Sequence, residues 1–181
     1  AEIRVDQLRF EPDEALALMQ DTGARLDPAH ALALCDRTEG WAAGLVLAGL
    51  SMATNSDRAA FVADFRGDDR RVVDYLTDEF LRGVPTGDLD RMLTTSMLSR
   101  MSGSLVDAVC GTDDGVTWLR NLAATNQLVI GLDSTGTWFR YHHLLADLLM
   151  LEAEQRLGAE IPELHRRAGQ WQPPPHAASL L

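Results

Sequence analysis

Leu128-Val129-Ile130-Gly131-Leu132-Asp133-Ser134-Thr135-Gly136-Thr137-Trp138-Phe139-Arg140-Tyr141 decides the fold of this chain. A β-branched apolar run comes first, then a turn-forming Asp-Ser-Thr-Gly, then an aromatic return, which is the composition of a β-hairpin. The segments before it give the hairpin its meaning. Leu89, Met92, Leu93 and Met97 mark one helix from Asp88, and Leu105 and Val109 mark a short second helix between turns at Gly103 and Gly111. Val116, Leu119 and Leu122 mark a third. Three short helices followed by a two-stranded wing read as a winged-helix domain.

Further towards the N-terminus the pattern is helical throughout. Val72, Tyr75, Leu76, Glu79 and Phe80 follow i, i+3, i+4 spacing and predict an amphipathic helix closing near Gly83, after a shorter helix over Arg58 to Phe65. Trp41, Leu45, Leu47, Ala48 and Met52, interspersed with Ala42, Ala43, Gly44 and Gly49, predict a central, buried helix opened by Gly40 and ended by Asn55 and Ser56. Asp27 before Pro28 is an N-cap followed by proline at the first helical position, and Ala31, Leu32, Leu34 and Cys35 carry that helix towards Arg37. Glu11-Pro12-Asp13-Glu14 opens a helix towards Gln20, and Leu8 to Phe10 read as the end of a strand or an entry loop.

Beyond the hairpin, His142 and His143 open a helix carrying Leu144, Leu145, Leu148 and Leu149. A last helix, from Pro162 to Trp171, places Leu164, Ala168 and Trp171 on one stripe. Pro173-Pro174-Pro175 cannot extend it, so the tail from Gln172 to Leu181 is expected to fray. The fold class is therefore mainly α, a helical bundle followed by a winged-helix domain with one β-hairpin. The expected layout is a helical domain over 1–84, the winged helix over 85–158, the start of a helical connector over 159–171, and a tail over 172–181.

Composition narrows the function classes. The 27 acidic and 16 basic residues leave a formal net charge of −11, and every basic residue is arginine. Affinity for nucleic acid rests largely on basic side chains neutralising phosphates, so the chain as a whole is a poor DNA binder. Its tightest basic cluster, Arg66, Arg70 and Arg71, is interleaved with Asp64, Asp68, Asp69 and Asp74 and reads as a self-neutralised surface. Without lysine a G-x-x-x-x-G-K-[ST] phosphate loop is impossible, and there is no G-x-S-x-G, H-E-x-x-H or C-x-x-C. The chain is thus not expected to be an enzyme by itself. Cys35 and Cys110 lie in apolar helical patterns and read as free, buried thiols. The longest apolar stretches, such as Trp41 to Leu50, fall short of the roughly 20 residues a membrane span requires, and the charged N-terminus has no export signal core. A cytoplasmic location without membrane contact is the expectation. Adjacent His142 and His143 diverge around a helix and are poorly placed to share a metal ion; one is expected to pack on the wing and the other to face solvent.

Two stretches go beyond ordinary packing: Arg37-Thr38-Glu39-Gly40-Trp41-Ala42-Ala43-Gly44-Leu45, and Trp138-Phe139-Arg140-Tyr141-His142-His143-Leu144-Leu145-Ala146-Asp147-Leu148-Leu149. Together with Phe65-Arg66-Gly67, Val73-Asp74-Tyr75-Leu76 and Thr95-Ser96-Met97-Leu98, and in the same order from Leu8 to Trp171, they resemble the MalT-like LuxR regulators, a bacterial branch of the signal-transducing STAND ATPases.

The resemblance implies a larger parent: an N-terminal nucleotide-binding domain, the helical and winged-helix domains, a helical-repeat sensor and a C-terminal LuxR-type helix-turn-helix. It implies that ATP and ADP are the parent's cofactor, with none held tightly by this segment. The implied partners are the parent's own nucleotide-binding and helical-repeat domains, with DNA met only through the C-terminal domain. ADP would favour a closed resting state and ATP with inducer an open, activating one, with the winged helix as a lid on the nucleotide. Related proteins carry M-H-D-L-L after the wing, its histidine reaching a nucleotide phosphate; Tyr141-His142-His143-Leu144-Leu145 is in register, which makes His142 the implied phosphate contact, with His143 in place of the aspartate. They also carry a G-x-P motif packing on adenine; Gly40-Trp41-Ala42 matches in position without the proline, leaving Trp41 as a base-stacking residue or a core one. The tail from Pro173 resembles nothing in the family. Two other readings stand beside this one: a free-standing winged-helix DNA-binding regulator, and a structural protein-interaction module.

Overall fold

The computed structural model describes residues 9–23, 27–53, 57–125 and 128–173, so the expected helix end at Asn55 and Ser56 and the tail from Pro174 lie outside the described residues. Its helices are α1 (Pro12–Asp21), α2 (Pro28–Thr38), α3 (Ala42–Ala53), α4 (Arg58–Asp64), α5 (Arg70–Glu79), α6 (Thr86–Thr95), α7 (Gly103–Cys110), α8 (Gly115–Thr125), α9 (His143–Leu157) and α10 (Ile161–Gln170). Among the described residues one hairpin, β1 (Val129–Gly131) and β2 (Phe139–Tyr141), precedes α9. The chain divides into two units, Ala1–Gly83 with His143–Leu148, and Val84–His142 with Leu149–Leu181.

In the first unit, carboxylates start α1, α2, α4 and α5. Glu11 and Glu14 form a reciprocal capping box on α1, and Asp27, Asp57 and Asp69 accept from the amides of His30, Ala60 and Arg71 at 2.8, 3.0 and 3.0 Å. Each satisfies an amide that the helix leaves unpaired and places negative charge at the positive end of the helix dipole. Asp69 also accepts from Ser51 Oγ at 3.1 Å, which ties the start of α5 to α3. Helix α3 packs on α1, α2 and α5, and the shared core contains Ala15, Met19, Leu34, Leu45, Ala48, Met52, Val72 and Leu76. Small residues set this closeness: a Cβ on Gly49 would lie 2.3 Å from Thr22 Oγ1. Tyr75 departs from the expected apolar stripe, because α5 buries Val72 and Leu76 and leaves Tyr75 exposed, in edge contact with the Trp41 ring at 5.8 Å.

The second unit holds the hairpin. Val129 pairs with Tyr141, Ile130 with Arg140 and Gly131 with Phe139 in antiparallel register, and Met101 adds a further rung by exchanging backbone hydrogen bonds with Phe139 at 2.7 and 2.8 Å. Asp133 organises the wing loop, its carboxylate accepting from the amides of Thr135, Thr137 and Trp138 at 3.1, 2.9 and 2.9 Å. Partial burial pushes its pKa up, but these hydrogen bonds, led by the Thr137 amide, outweigh that and hold the carboxyl below its ordinary value. Helices α7 and α8 meet at their first residues, Gly103 and Gly115, where a Cβ on Gly115 would lie 2.3 Å from the Gly103 carbonyl oxygen.

On α8, Val116 is exposed and Trp118 takes the buried position. Its Nε1 donates to Asp88 at 2.8 Å and its ring carries the Arg91 guanidinium 5.2 Å from the centroid. Leu164 of α10 packs on Leu105 and Val109, with Ala168 and Trp171 alongside, so the expected stripe of the last helix is the one buried. Both cysteines are free, Cys35 buried and Cys110 half-buried, and burial pushes the Cys110 thiol up to about 11. Among the described residues no helix is long and apolar enough to cross a membrane.

Candidate functional site

The chain leaves α2 through two successive left-handed residues, Glu39 at φ 52° and Gly40 at φ 69°. Gly40 suits this position twice over: its φ favours glycine, and a Cβ would lie 2.7 Å from the Phe10 carbonyl oxygen. Glu39 has no such excuse. A left-handed non-glycine residue costs about 1–2 kcal/mol. What it obtains is a counter-charged site for a carboxylate whose side chain is only 7% exposed. Oε1 accepts from the backbone amide of His143 at 3.1 Å and lies 3.6 Å from His143 Nδ1, while Oε2 lies 3.8 Å from Arg9. A hydrogen bond to a charged acceptor contributes about 1.5–3 kcal/mol, enough to offset the backbone strain. The first amide of α9 is thus satisfied by an anion of the same chain.

The residues singled out in the sequence are placed as follows. Gly40 is buried at that turn, and Trp41 follows it, half-buried, with its ring edge-on to Tyr75. Both belong to the first unit. His142 belongs to the second unit, is 3% exposed, and its amide donates to the Leu128 carbonyl at 2.7 Å beside the wing. Helix α9 begins at His143, so His142 immediately precedes the helix; the expected opening at both histidines is corrected by one residue. His143 is exposed, so the two histidines divide as expected, one packed by the wing and one towards solvent. Among the described residues no group of three or more His, Cys, Asp or Glu side chains is placed to hold a metal ion.

Residues 77–161 match the family described as the MalT winged helix domain. The chain is also 34% identical over 139 residues to the HTH-type transcriptional regulator MalT of Klebsiella pneumoniae, covering 76% of this chain and 15% of that protein. The chain is MalT-like. A second relative is the serine/threonine-protein kinase PknK of Mycobacterium tuberculosis, 33% identical over 172 residues, which cover 94% of this MalT-like chain and 16% of the kinase. PknK of Mycobacterium bovis matches with the same figures. The chain therefore spans about a sixth of the length of the curated relatives it matches.

The geometry gives physical content to the MalT-like stretches. Thr95 and Tyr141, from two of them, meet in the buried interior of the winged helix with their hydroxyls 2.8 Å apart. Gly67, from Phe65-Arg66-Gly67, lies against α9: its amide donates to Asp147 Oδ2 at 3.0 Å, and a Cβ there would lie 2.0 Å from the Leu144 carbonyl oxygen. Sequence reasoning missed Glu39 as the anion at the start of α9. Its only local signal was an acidic residue immediately before a helix-ending glycine. It also grouped Arg66 with a self-neutralised surface. The structure pairs Arg70 with Asp74 at 3.9 Å, yet among the described residues Arg66 makes no ion pair.

Proposed function

We propose that this MalT-like chain is the regulatory, nucleotide-sensing middle of a LuxR-type transcription regulator of the STAND ATPase class, located in the cytoplasm. The observation that carries the reading is the MalT winged-helix match over residues 77–161. In it, a nucleotide-binding domain elsewhere in the parent holds ATP or ADP, a helical-repeat domain receives the inducer, and DNA is met by a separate helix-turn-helix. The nucleotide, when bound, supplies the difference between resting and active states.

This chain's own contribution is to position groups. His142, fixed between the wing and α9, would donate to a phosphate oxygen, while Gly40 and Trp41 would face the base. The donor chemistry suits a phosphate, since an imidazole N–H can donate to a phosphate oxygen. The wing acts as structural support for His142, in keeping with the net charge of −11.

Isothermal calorimetry of the 181-residue chain with ADP tests this reading. Weak or undetectable binding is expected, because the phosphate loop lies in another domain; submicromolar binding or turnover would overturn it. A second reading is favoured by the PknK identity across 94% of the chain: the same module serving a kinase parent. The coding sequence on either side discriminates the two, through a helix-turn-helix in one case and a kinase catalytic domain in the other.

A further inference from the structure

We propose that the groove of about 270 Å³ in the first unit, walled by Arg37, Arg66, His143 and Asp147, binds a small phosphate-type oxyanion. It does not rest on the role given to His142. In a chain of net charge −11, a groove whose polar side chains are two guanidiniums, an imidazole and one carboxylate runs against the composition. The carboxylate is also committed, since Asp147 Oδ2 receives the Gly67 amide at 3.0 Å. Arg37 is half-buried and donates from Nη1 to the Phe65 carbonyl at 2.8 Å, which anchors its guanidinium at the groove wall while its other N–H groups can serve a ligand.

Arg66 is exposed, and among the described residues its side chain makes no hydrogen bond or ion pair, whereas Arg70 and Arg82 pair with Asp74 and Asp78. His143 adds an exposed imidazole from the first residue of α9, its Nδ1 3.6 Å from the Glu39 carboxylate. Forked guanidiniums match the several acceptor oxygens of a phosphate better than a point charge does. The volume lies just below the roughly 300 Å³ at which pockets begin to enclose drug-sized ligands, so a phosphate or diphosphate group fits and a whole nucleotide would extend outside.

The test is an NMR titration of the ¹⁵N-labelled chain at low salt with inorganic pyrophosphate and, in parallel, with ADP. Saturable shifts at the Arg37 and Arg66 Nε–H groups and the His143 amide are expected with both. Similar affinities would assign the diphosphate group alone as the ligand, and tighter binding of ADP would assign a nucleotide source. Arg66→Gln and His143→Gln, both at exposed side chains, should each weaken pyrophosphate about tenfold or more, whereas Arg70→Gln should leave it unchanged. Absence of saturable shifts at millimolar pyrophosphate, or equal weakening by Arg66→Gln and Arg70→Gln, would overturn the proposal. Circular dichroism of each variant confirms that the fold is retained.

Discussion

The hydroxyl of Tyr141 illustrates how much depends on single atoms. It is fully enclosed, burial pushes its pKa well above the ordinary value, and it shares a 2.8 Å hydrogen bond with Thr95 Oγ1. Thr95 also donates to the Arg91 carbonyl at 2.9 Å, so removing the phenolic oxygen does not strand the threonine hydroxyl. Tyr141→Phe should therefore cost only about 1 kcal/mol in urea unfolding. Tyr141→Ala, which empties a core position, should cost about 3–5 kcal/mol. A Tyr141→Phe cost as large as that of alanine would show that the hydroxyl, rather than the ring, holds the wing. Tyr141 was readable in the sequence as part of the aromatic return strand of the hairpin. Its partner 46 residues earlier was not, because a buried hydroxyl pair leaves no periodic trace. Trp118 was hidden for the same reason: its place is set by Asp88 and Arg91, on another helix.

Helix identities were far more readable than helix contacts. Carboxylates at Asp27 and Glu11, with prolines after them, announced the starts of α1 and α2, and the glycine-rich α3 announced close packing. Tyr75 and Val116 were assigned to buried stripes because periodicity gives the direction of a face but not its width. Gly67 stood in the sequence as part of the Phe65-Arg66-Gly67 stretch, and it is not among the positive-φ residues; its reason is the passage of α9 against it. Such an approach is invisible until the second element is in place. Gly67→Ala must displace the α9 backbone at Leu144, and overpacking of this kind costs about 1–3 kcal/mol or more. Thermal melts should show the loss, and an unchanged melting temperature would mean that α9 does not lie against Gly67. Gly83→Ala, where a Cβ meets nothing within 4 Å, is the matched control.

At the scale of the whole molecule, charge and family address the same question. A winged helix ordinarily raises the expectation of DNA binding, but that binding draws on phosphate neutralisation, which a chain of net charge −11 is poorly equipped to provide. In electrophoresis with mixed-sequence duplex DNA at low salt the chain should leave the DNA unshifted. A shift at submicromolar protein would reinstate the reading of a free-standing DNA-binding regulator. The overall class, mainly helical with one hairpin in a MalT-type winged helix, was available from the sequence because it rests on local patterns summed along the chain.

Glu39 also carries information about the order in which the fold assembles. Its hydrogen-bond partner at the start of α9 is 104 positions further along the chain. Contacts of such separation close late, after local helices have formed, because the intervening loop must first lose its freedom. Until then the left-handed backbone at the end of α2 is strained without this compensation, and the last turn of that helix has reason to unwind. The exit from α2 is thus a joint whose strain is offset by a helix synthesised long after it.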